Sequence, residues 1–248
     1  MPSTMIDIET RDGVADAYLS QPAGGVSAPG VLLLMDAFGL REQIKQMADR
    51  IAARGYVVLA PNLFYRAGRA PVISLDGLHD PERRGALIEQ IRPLMGQLSG
   101  AALDSDAAAY LDELTGVAAD GPVALTGYCF GGRIGWQIAA SYPQRVAALG
   151  AFHTGGLVSD APDSPHLRTA DLRAELYFGF ADHDPGATPE QIQQLTTAMD
   201  AAALSYRAEV YKDAAHGYTM ADTPVYDEAA AERHYNELFT LLERTLKA

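Results

Sequence analysis

The sequence predicts an α/β fold in which a mostly parallel, twisted sheet is flanked by helices on both faces. Short apolar runs suited to buried strands alternate with longer stretches of helical periodicity, which is typical of right-handed βαβ crossovers. The chain has 248 residues, of which 48% are hydrophobic, enough for a sizeable core. No repeat, low-complexity segment or linker interrupts the alternation, so residues 1–248 are predicted to form one domain.

The first half of the chain is predicted to open with a hairpin. Residues 4–10 and 14–20 alternate between apolar and polar side chains and flank the turn Arg11-Asp12-Gly13. Residues 31–35 form a continuous apolar run, the pattern of a strand buried on both faces. The elements predicted next are a helix at 40–54, a strand at 56–60 and helices at 83–98 and 102–114.

The second half repeats the strand–helix alternation. Four further strands are predicted, at residues 122–125, 146–152, 172–178 and 205–211. Three helices are predicted between and after them, at residues 133–141, 189–202 and 226–246. Strands that alternate with helices in this way are expected to lie parallel.

Composition narrows the class of protein. The formal net charge is −13, and the 19 Lys and Arg are scattered, so nucleic acid is not an expected partner. No apolar run approaches the roughly 18 residues that a membrane span needs. The N-terminus lacks the pattern of a signal peptide, and a single cysteine forms no internal disulfide, so a cytoplasmic location is expected. The oligomeric state stays open between a monomer and a homodimer.

Cys129 lies in the segment GYCFGG at residues 127–132. A buried cysteine is most often a small, inert hydrophobic residue. This one, however, falls between a predicted strand and a predicted helix, where Gly-x-nucleophile-x-Gly forms a nucleophile elbow. The helix N-terminus favours a thiolate, and the backbone N–H of Phe130 is placed to stabilise an oxyanion. A phosphate-binding loop is disfavoured because neither Lys-Ser/Thr nor G-x-G-x-x-G is present.

Candidate partners of the nucleophile follow in the order that elbow enzymes use. The acid and the histidine of such enzymes lie on loops after later strands. The segment GFADHDP follows one predicted strand and offers Asp182 and Asp184, and KDAAHGY follows the last strand and offers His216. These residues together predict a cysteine hydrolase whose histidine is oriented by one of the two aspartates.

With these motifs, the chain resembles the dienelactone hydrolase family of the α/β-hydrolase fold from Val14 to Leu246. The segments that carry the resemblance are MDAFGL, RGYVVLAPNLF, GYCFGGR, ADHDP and AAHGY. The resemblance implies a triad of Cys129, Asp182 and His216, and an oxyanion hole formed by the N–H groups of Phe130 and Ala37. It implies cleavage of a small ester or lactone, as by a carboxymethylenebutenolidase, through a thioester and without a cofactor. No metal is expected either, because the spacing of His153 and His166 fits no common zinc pattern.

Other functions compatible with the same residues stay open. A thioesterase or another α/β-hydrolase could act on a neutral acyl substrate, and Asp36 could serve as an alternative nucleophile. A non-catalytic binding protein on this fold would be expected to have a broken triad. The residues of the predicted triad are all present in this sequence.

Two positions depart from the family pattern. Asp36 stands where the best-studied branch has a glutamate near the nucleophile, so it could tune the thiol or simply end a strand. Met220 stands four residues after His216, where dienelactone-cleaving members use an arginine for the substrate carboxylate. Further candidates for substrate contact are Arg83, Arg84, Phe38, Tyr128, His153 and Tyr218, and residues 152–167 are predicted to line the mouth of the site.

Overall fold

The computed structural model describes residues 2–25, 27–78, 80–98 and 100–247, without the side chains of Pro81 and Arg84. The chain divides into two compact units, Met1–Gly121 and Pro122–Ala248. The prediction that the whole chain is one domain stays a prediction. Among the described residues, no helix combines the length and apolarity needed to cross a bilayer.

The described residues of the first unit form four strands and three α-helices. Strands β1 and β2 form the predicted antiparallel hairpin, β2 pairs with β4 in antiparallel direction, and β4 pairs with β3 in parallel direction. Every residue of β3 and β4 is buried, as their continuous apolar sequence predicts. The strands are Ser3–Thr10 (β1), Gly13–Ser20 (β2), Gly30–Leu34 (β3) and Val57–Pro61 (β4), and the helices are Glu42–Ala52 (α1), Pro81–Gly96 (α2) and Gly100–Val117 (α3).

Local sequence accounts for the ends and faces of these helices. In α1, a single face carries the buried side chains Ile44, Met47 and Ile51, which pack toward the strands. Helix α2 begins where the Asp80 side chain accepts a hydrogen bond from the N–H of Glu82, with a proline in the first turn. Both features are ordinary signals for a helix start.

The second unit is a regular parallel arrangement in the order β5-β6-β7-β8. Helices α4 and α6 pack on β5 and β6. All residues of β5 are buried, so both of its faces are covered. The strands are Val123–Tyr128 (β5), Val146–Phe152 (β6), Glu175–Ala181 (β7) and Tyr206–Tyr211 (β8), and the helices are Phe130–Ser141 (α4), Pro189–Ala201 (α5) and Glu228–Leu246 (α6). The predicted α/β class is confirmed.

The bounds of two elements differ from those that the sequence predicted. Helix α4 begins at Phe130 rather than Arg133, because Gly131 and Gly132 are helical despite their low propensity. Strand β7 starts at Glu175 and ends at Ala181 rather than Phe178, because its pairing with β8 continues as far as Ala181, opposite Tyr211. As a result, the aspartates of the following loop come directly off the end of the strand.

Candidate active site

Cys129 occupies a sharp turn between β5 and α4. Its backbone has φ 53° and ψ −115°, a left-handed conformation that a side chain rarely adopts. The turn is held by a hydrogen bond of 3.0 Å from the N–H of Cys129 to the carbonyl of Phe152, at the end of β6. The cysteine side chain therefore projects from the junction and remains partly exposed.

Two glycines make this turn sterically feasible. A Cβ on Gly127 would lie 2.4 Å from the carbonyl oxygen of Gly131, and one on Gly132 would lie 1.9 Å from Oγ1 of Thr154. Both distances are far below any real carbon contact, so a side chain at either position would force the backbone or Thr154 to move. The geometry matches the nucleophile elbow that the segment predicted.

His216 lies in the loop after β8, and its imidazole contacts the cysteine. Nε2 of His216 is 3.0 Å from Sγ of Cys129, within hydrogen-bond reach. Parallel strands bring the loops at their carboxyl ends to one edge of a sheet, which places two residues that are far apart in sequence side by side.

The carboxylate at His216 belongs to Asp184. Its Oδ2 is 2.5 Å from Nδ1 of His216, its Oδ1 accepts a hydrogen bond of 2.8 Å from the N–H of Gly186, and its side chain is 3% exposed. The same imidazole thus bridges a sulfur on one side and a buried carboxylate on the other. This is the arrangement that fixes the orientation and tautomer of a general base.

The assignment of Asp182 as the partner of His216 is therefore corrected to Asp184. Oδ2 of Asp182 accepts a hydrogen bond of 2.9 Å from the backbone N–H of Asp213, which ties its loop to the loop after β8. The intervening His183 has φ 53°, and this reversal separates the environments of the two aspartates. Because β7 continues to Ala181, Asp182 sits at the strand end and Asp184 is the residue that reaches the histidine.

The electrostatics of the histidine and aspartate reinforce each other. Burial of the ring disfavours its charged form, but the hydrogen bonds to Asp184 and Cys129 outweigh burial and raise the pKa of His216 to about 10. Burial likewise opposes ionisation of Asp184, yet the hydrogen bond from His216 keeps the pKa of Asp184 below its usual range. The pair favours an imidazolium beside an ionised carboxylate at neutral pH.

Phe130 is the first residue of α4 and directly follows the cysteine. Backbone N–H groups in the first turn of a helix point out of its N-terminus, toward the side chain that precedes it. The N–H of Phe130 is thus placed as the sequence predicted for an oxyanion donor. That role stays a prediction.

Several other predicted site residues lie in the first unit. Asp36 is buried and forms two hydrogen bonds with Arg41, of 2.6 and 3.1 Å, which sequence reasoning did not anticipate. Ala37 and Phe38 are partly exposed, and Arg83 is exposed beside Gly77. The roles predicted for these residues at the nucleophile or substrate stay predictions, and the Arg84 side chain is outside the described part of the chain.

Four further candidates for substrate contact are buried. Tyr128, His153 and Tyr218 are 0% exposed and Met220 is 1% exposed. Because these side chains are closed to solvent, they pack around the site, and the roles predicted for them at the substrate stay predictions. Their apolar and aromatic character, which suggested a pocket wall, equally suits a core position.

The segment after β6, predicted to line the site mouth, is anchored to its neighbours. Nε1 of Trp136 donates a hydrogen bond of 2.8 Å to the carbonyl of Pro165. His166 contacts the Ser164 hydroxyl through Nδ1 and the Gln194 amide through Nε2. These contacts hold the His166 ring to its own segment and to helix α5.

Comparisons with known proteins show the family of the chain. The model of the dienelactone hydrolase family matches residues 15–246. A protein of Methylorubrum extorquens named "Putative carboxymethylenebutenolidase" is 30% identical over 240 residues, which cover 94% of this chain and 78% of that protein. A protein of the same name from Synechocystis is also 30% identical, with 99% of this chain and 98% of that protein covered.

Solved structures show the same fold. A structure from Klebsiella pneumoniae named "Putative Dienelactone Hydrolase" superposes with a TM-score of 0.84 at 22% identity, covering 98% of each chain. A dienelactone hydrolase from Anabaena variabilis superposes with a TM-score of 0.66 at 16% identity, covering 99% of this chain and 98% of that one. At these identities the likeness shows the fold, and it covers nearly the whole chain.

Proposed function

The chain belongs to the dienelactone hydrolase family and is a hydrolase, and from this premise we propose that it cleaves a small ester or lactone with Cys129 as the nucleophile. The observation that carries the proposal is the continuous contact from Cys129 Sγ through His216 to Asp184. A non-catalytic protein would have no need to keep a strained cysteine, an imidazole and a buried carboxylate in this order.

In the acylation step, the Cys129 thiolate attacks the acyl carbon and a carbon–sulfur bond forms. Negative charge develops on the carbonyl oxygen, and the N–H of Phe130 stabilises it at the N-terminus of α4. As the intermediate collapses, the bond to the alkoxy oxygen breaks and this oxygen takes the proton from the His216 imidazolium. The raised pKa of His216 keeps that proton available until the leaving group needs it.

In the deacylation step, neutral His216 accepts a proton from water, and the hydroxide attacks the thioester carbonyl. The carbon–sulfur bond then breaks, which releases the carboxylic acid and restores the thiolate. Asp184 holds the imidazole in one orientation through both steps and stabilises its positive charge. The cycle consumes one water molecule and uses only groups of the protein.

The two relatives are named for a lactone that carries a carboxylate, but this chain has the buried, neutral Met220 at the position described above. A carboxylate that leaves water needs a charged partner, whereas methionine offers only an apolar contact. We therefore assign neutral esters and lactones as the favoured substrate class. Asp36 is a poor alternative nucleophile, because the Arg41 guanidinium holds both of its carboxylate oxygens.

The test is single-turnover and steady-state kinetics with 4-nitrophenyl esters on wild type, Cys129→Ala and His216→Gln. Turnover should fall by a factor on the order of 1,000 or more in Cys129→Ala. Intact-protein mass spectrometry after rapid quenching should find an acyl adduct on Cys129, and His216→Gln should accumulate it by slowing deacylation. Near-normal turnover by a folded Cys129→Ala variant would exclude this mechanism.

A further inference from the structure

His153 follows strand β6 directly and occupies an unusual position for a histidine. It is 0% exposed, and its backbone has φ 40°, so both its burial and its conformation cost free energy. Its N–H donates a hydrogen bond of 2.8 Å to the carbonyl of Gly179 in β7. Residues held in such strained conformations cluster at functional sites, which directs attention to the contacts of this ring.

The ring of His153 contacts three residues of the loop that carries the catalytic histidine. Its Nε2 is 2.8 Å from Oγ1 of Thr219, and its centroid lies 5.4 Å from that of His216 and 5.1 Å from that of Tyr218, both in edge-to-face geometry. Tyr218 in turn donates a hydrogen bond of 3.0 Å to the carbonyl of Gly179, the same acceptor that holds the His153 backbone. One buried ring thus braces residues 216–219.

The tautomer of this ring follows from its surroundings. Among the described residues, Nδ1 of His153 has no hydrogen-bond partner. A buried N–H without an acceptor is rarer and more costly than a bare ring nitrogen, so the proton belongs on Nε2, which donates to Thr219. Burial and the nearby charge of His216 both lower the pKa of His153, so the ring is neutral and adds no repulsion beside the imidazolium.

We propose that His153 is a positioning residue, which fixes the His216 loop through the Nε2–H···Oγ1 hydrogen bond to Thr219 so that the imidazole meets Cys129 and Asp184 together. The role depends on a specific bond rather than on bulk alone. The effect on ester hydrolysis rests on the proposed function, whereas the effect on cysteine reactivity can be measured without any ester.

The experiment is a double-mutant cycle. His153→Phe keeps an aromatic ring and removes the donor, Thr219→Val keeps the shape and removes the acceptor, and Thr219→Ser keeps the hydroxyl. Each of the first two should lower kcat by about tenfold with little change in KM, the scale expected for one misplaced catalytic hydrogen bond. The double variant should lose about the same tenfold rather than about a hundredfold, because both changes break one bond.

The second readout is the rate of Cys129 alkylation by iodoacetamide near neutral pH, which requires His216 next to the sulfur but no ester substrate. It should slow in His153→Phe and Thr219→Val and stay close to wild type in Thr219→Ser. Thr223→Val is the matched control, since it removes another hydroxyl of the same loop that bonds to the Met220 carbonyl. This control should keep wild-type alkylation and turnover.

Three outcomes would contradict the proposal. Additive losses in the cycle, equal losses in Thr219→Val and Thr219→Ser, or alkylation unchanged in both bond-breaking variants would overturn the positioning role. If His153→Phe fails to fold, the contrast between Thr219→Val and Thr219→Ser decides alone. Absent ester turnover in wild type, with the alkylation pattern intact, would reject the proposed substrate class and leave the role of His153 standing.

Discussion

The loop after β5 and the loop after β7 each contain a strained residue with positive φ, and the strain has a different consequence in each loop. Each places a residue other than glycine at φ 53°, Cys129 in the first loop and His183 in the second. Cys129 sits between glycines in contact with His216, whereas the His183 side chain is 94% exposed to solvent. In the first loop the strained residue places its own side chain against His216. In the second loop the strained residue only reverses the direction of the chain.

The two loops also differ in what determines their shape. The turn at Cys129 depends on close neighbours, because Gly127 approaches Gly131 and Gly132 approaches Thr154 more closely than a side chain allows. The loop after β7 depends on distant contacts, of Asp182 with the Asp213 N–H and of Asp184 with His216. The glycines that allow the first loop lie in its own segment, whereas the contacts that select the second loop come from residues of another loop.

The largest effect should come from replacing one of the two aspartates of the loop after β7. Asp184→Asn should lower kcat by about 1,000- to 10,000-fold, because the amide no longer fixes the tautomer or stabilises the charge of His216. Asp182→Asn is the matched control in the same loop and should lower kcat by less than about tenfold. Steady-state kinetics on one neutral ester measures both.

The reverse ranking of these two variants would return the acid to Asp182, as the sequence first suggested. Thermal unfolding of both variants shows whether a loss of turnover reflects a loss of folded protein. A large loss in both, with intact folding, would mean that the loop acts as one unit and that the distinction between its aspartates is wrong.

The next effect tests whether the turn at Cys129 is set by local sterics. In Gly132→Ala the new Cβ would meet three Thr154 side-chain atoms at 1.9 to 3.0 Å, so unfolding free energy should fall by about 3 kcal/mol. Gly116→Ala is the control, because a Cβ there has nothing within 4 Å and the helix should gain up to about 1 kcal/mol. Urea unfolding of both variants provides the measurement.

Removing the obstructing side chain sharpens this test. Thr154→Gly eliminates all three of the atoms that the new Cβ would meet, so the double variant with Gly132→Ala should be destabilised by less than the sum of its parts. Strict additivity would show that the lost stability has another origin.

A smaller effect concerns the dependence of stability on pH. Because the folded pKa of His216, about 10, lies above its ordinary value of 6.5, its contribution to stability is fully present below pH 6.5 and is lost as pH rises toward 10. Asp184→Asn should flatten this decline, since the main partner that raises the pKa is gone. Asp182→Asn should keep the wild-type slope of Tm between pH 6 and 9, and equal slopes in wild type and Asp184→Asn would contradict the assignment.

The elements and the sharp turn at Cys129 could be predicted from sequence because their signals are local. The apolar runs of β3 to β6 and the periodicity of α1 gave their positions within a few residues. The GYCFGG segment indicated Cys129. The position of KDAAHGY after the last predicted strand and before the last helix indicated His216. Each of these inferences uses residues that are neighbours along the chain or one face of an element.

The choice between Asp182 and Asp184 could not be made in the same way. Both are aspartates of one short loop. The decision depends on the end of β7, three residues beyond its expected position, and on contacts with residues 31 and 32 positions away. Sequence reasoning also missed the contacts of Asp36 with Arg41 and of His153 with Thr219. Nothing local in the sequence marks a polar residue as both buried and paired.

The smallest effect should come from relieving the strain at His183. Glycine adopts φ 53° without the steric cost that a Cβ incurs, so His183→Gly should raise unfolding free energy by about 0.5 kcal/mol after the entropy of glycine is counted. His183→Val should lower it by about 1 kcal/mol, because a branched side chain fits this conformation worst. Neither change should alter kcat more than about twofold, since the side chain points to solvent and its ion pair with Asp182, at 3.6 Å, contributes little. Urea unfolding together with ester kinetics checks both parts, and a loss of turnover in His183→Gly at unchanged stability would show that this strain, like that of Cys129, serves the chemistry.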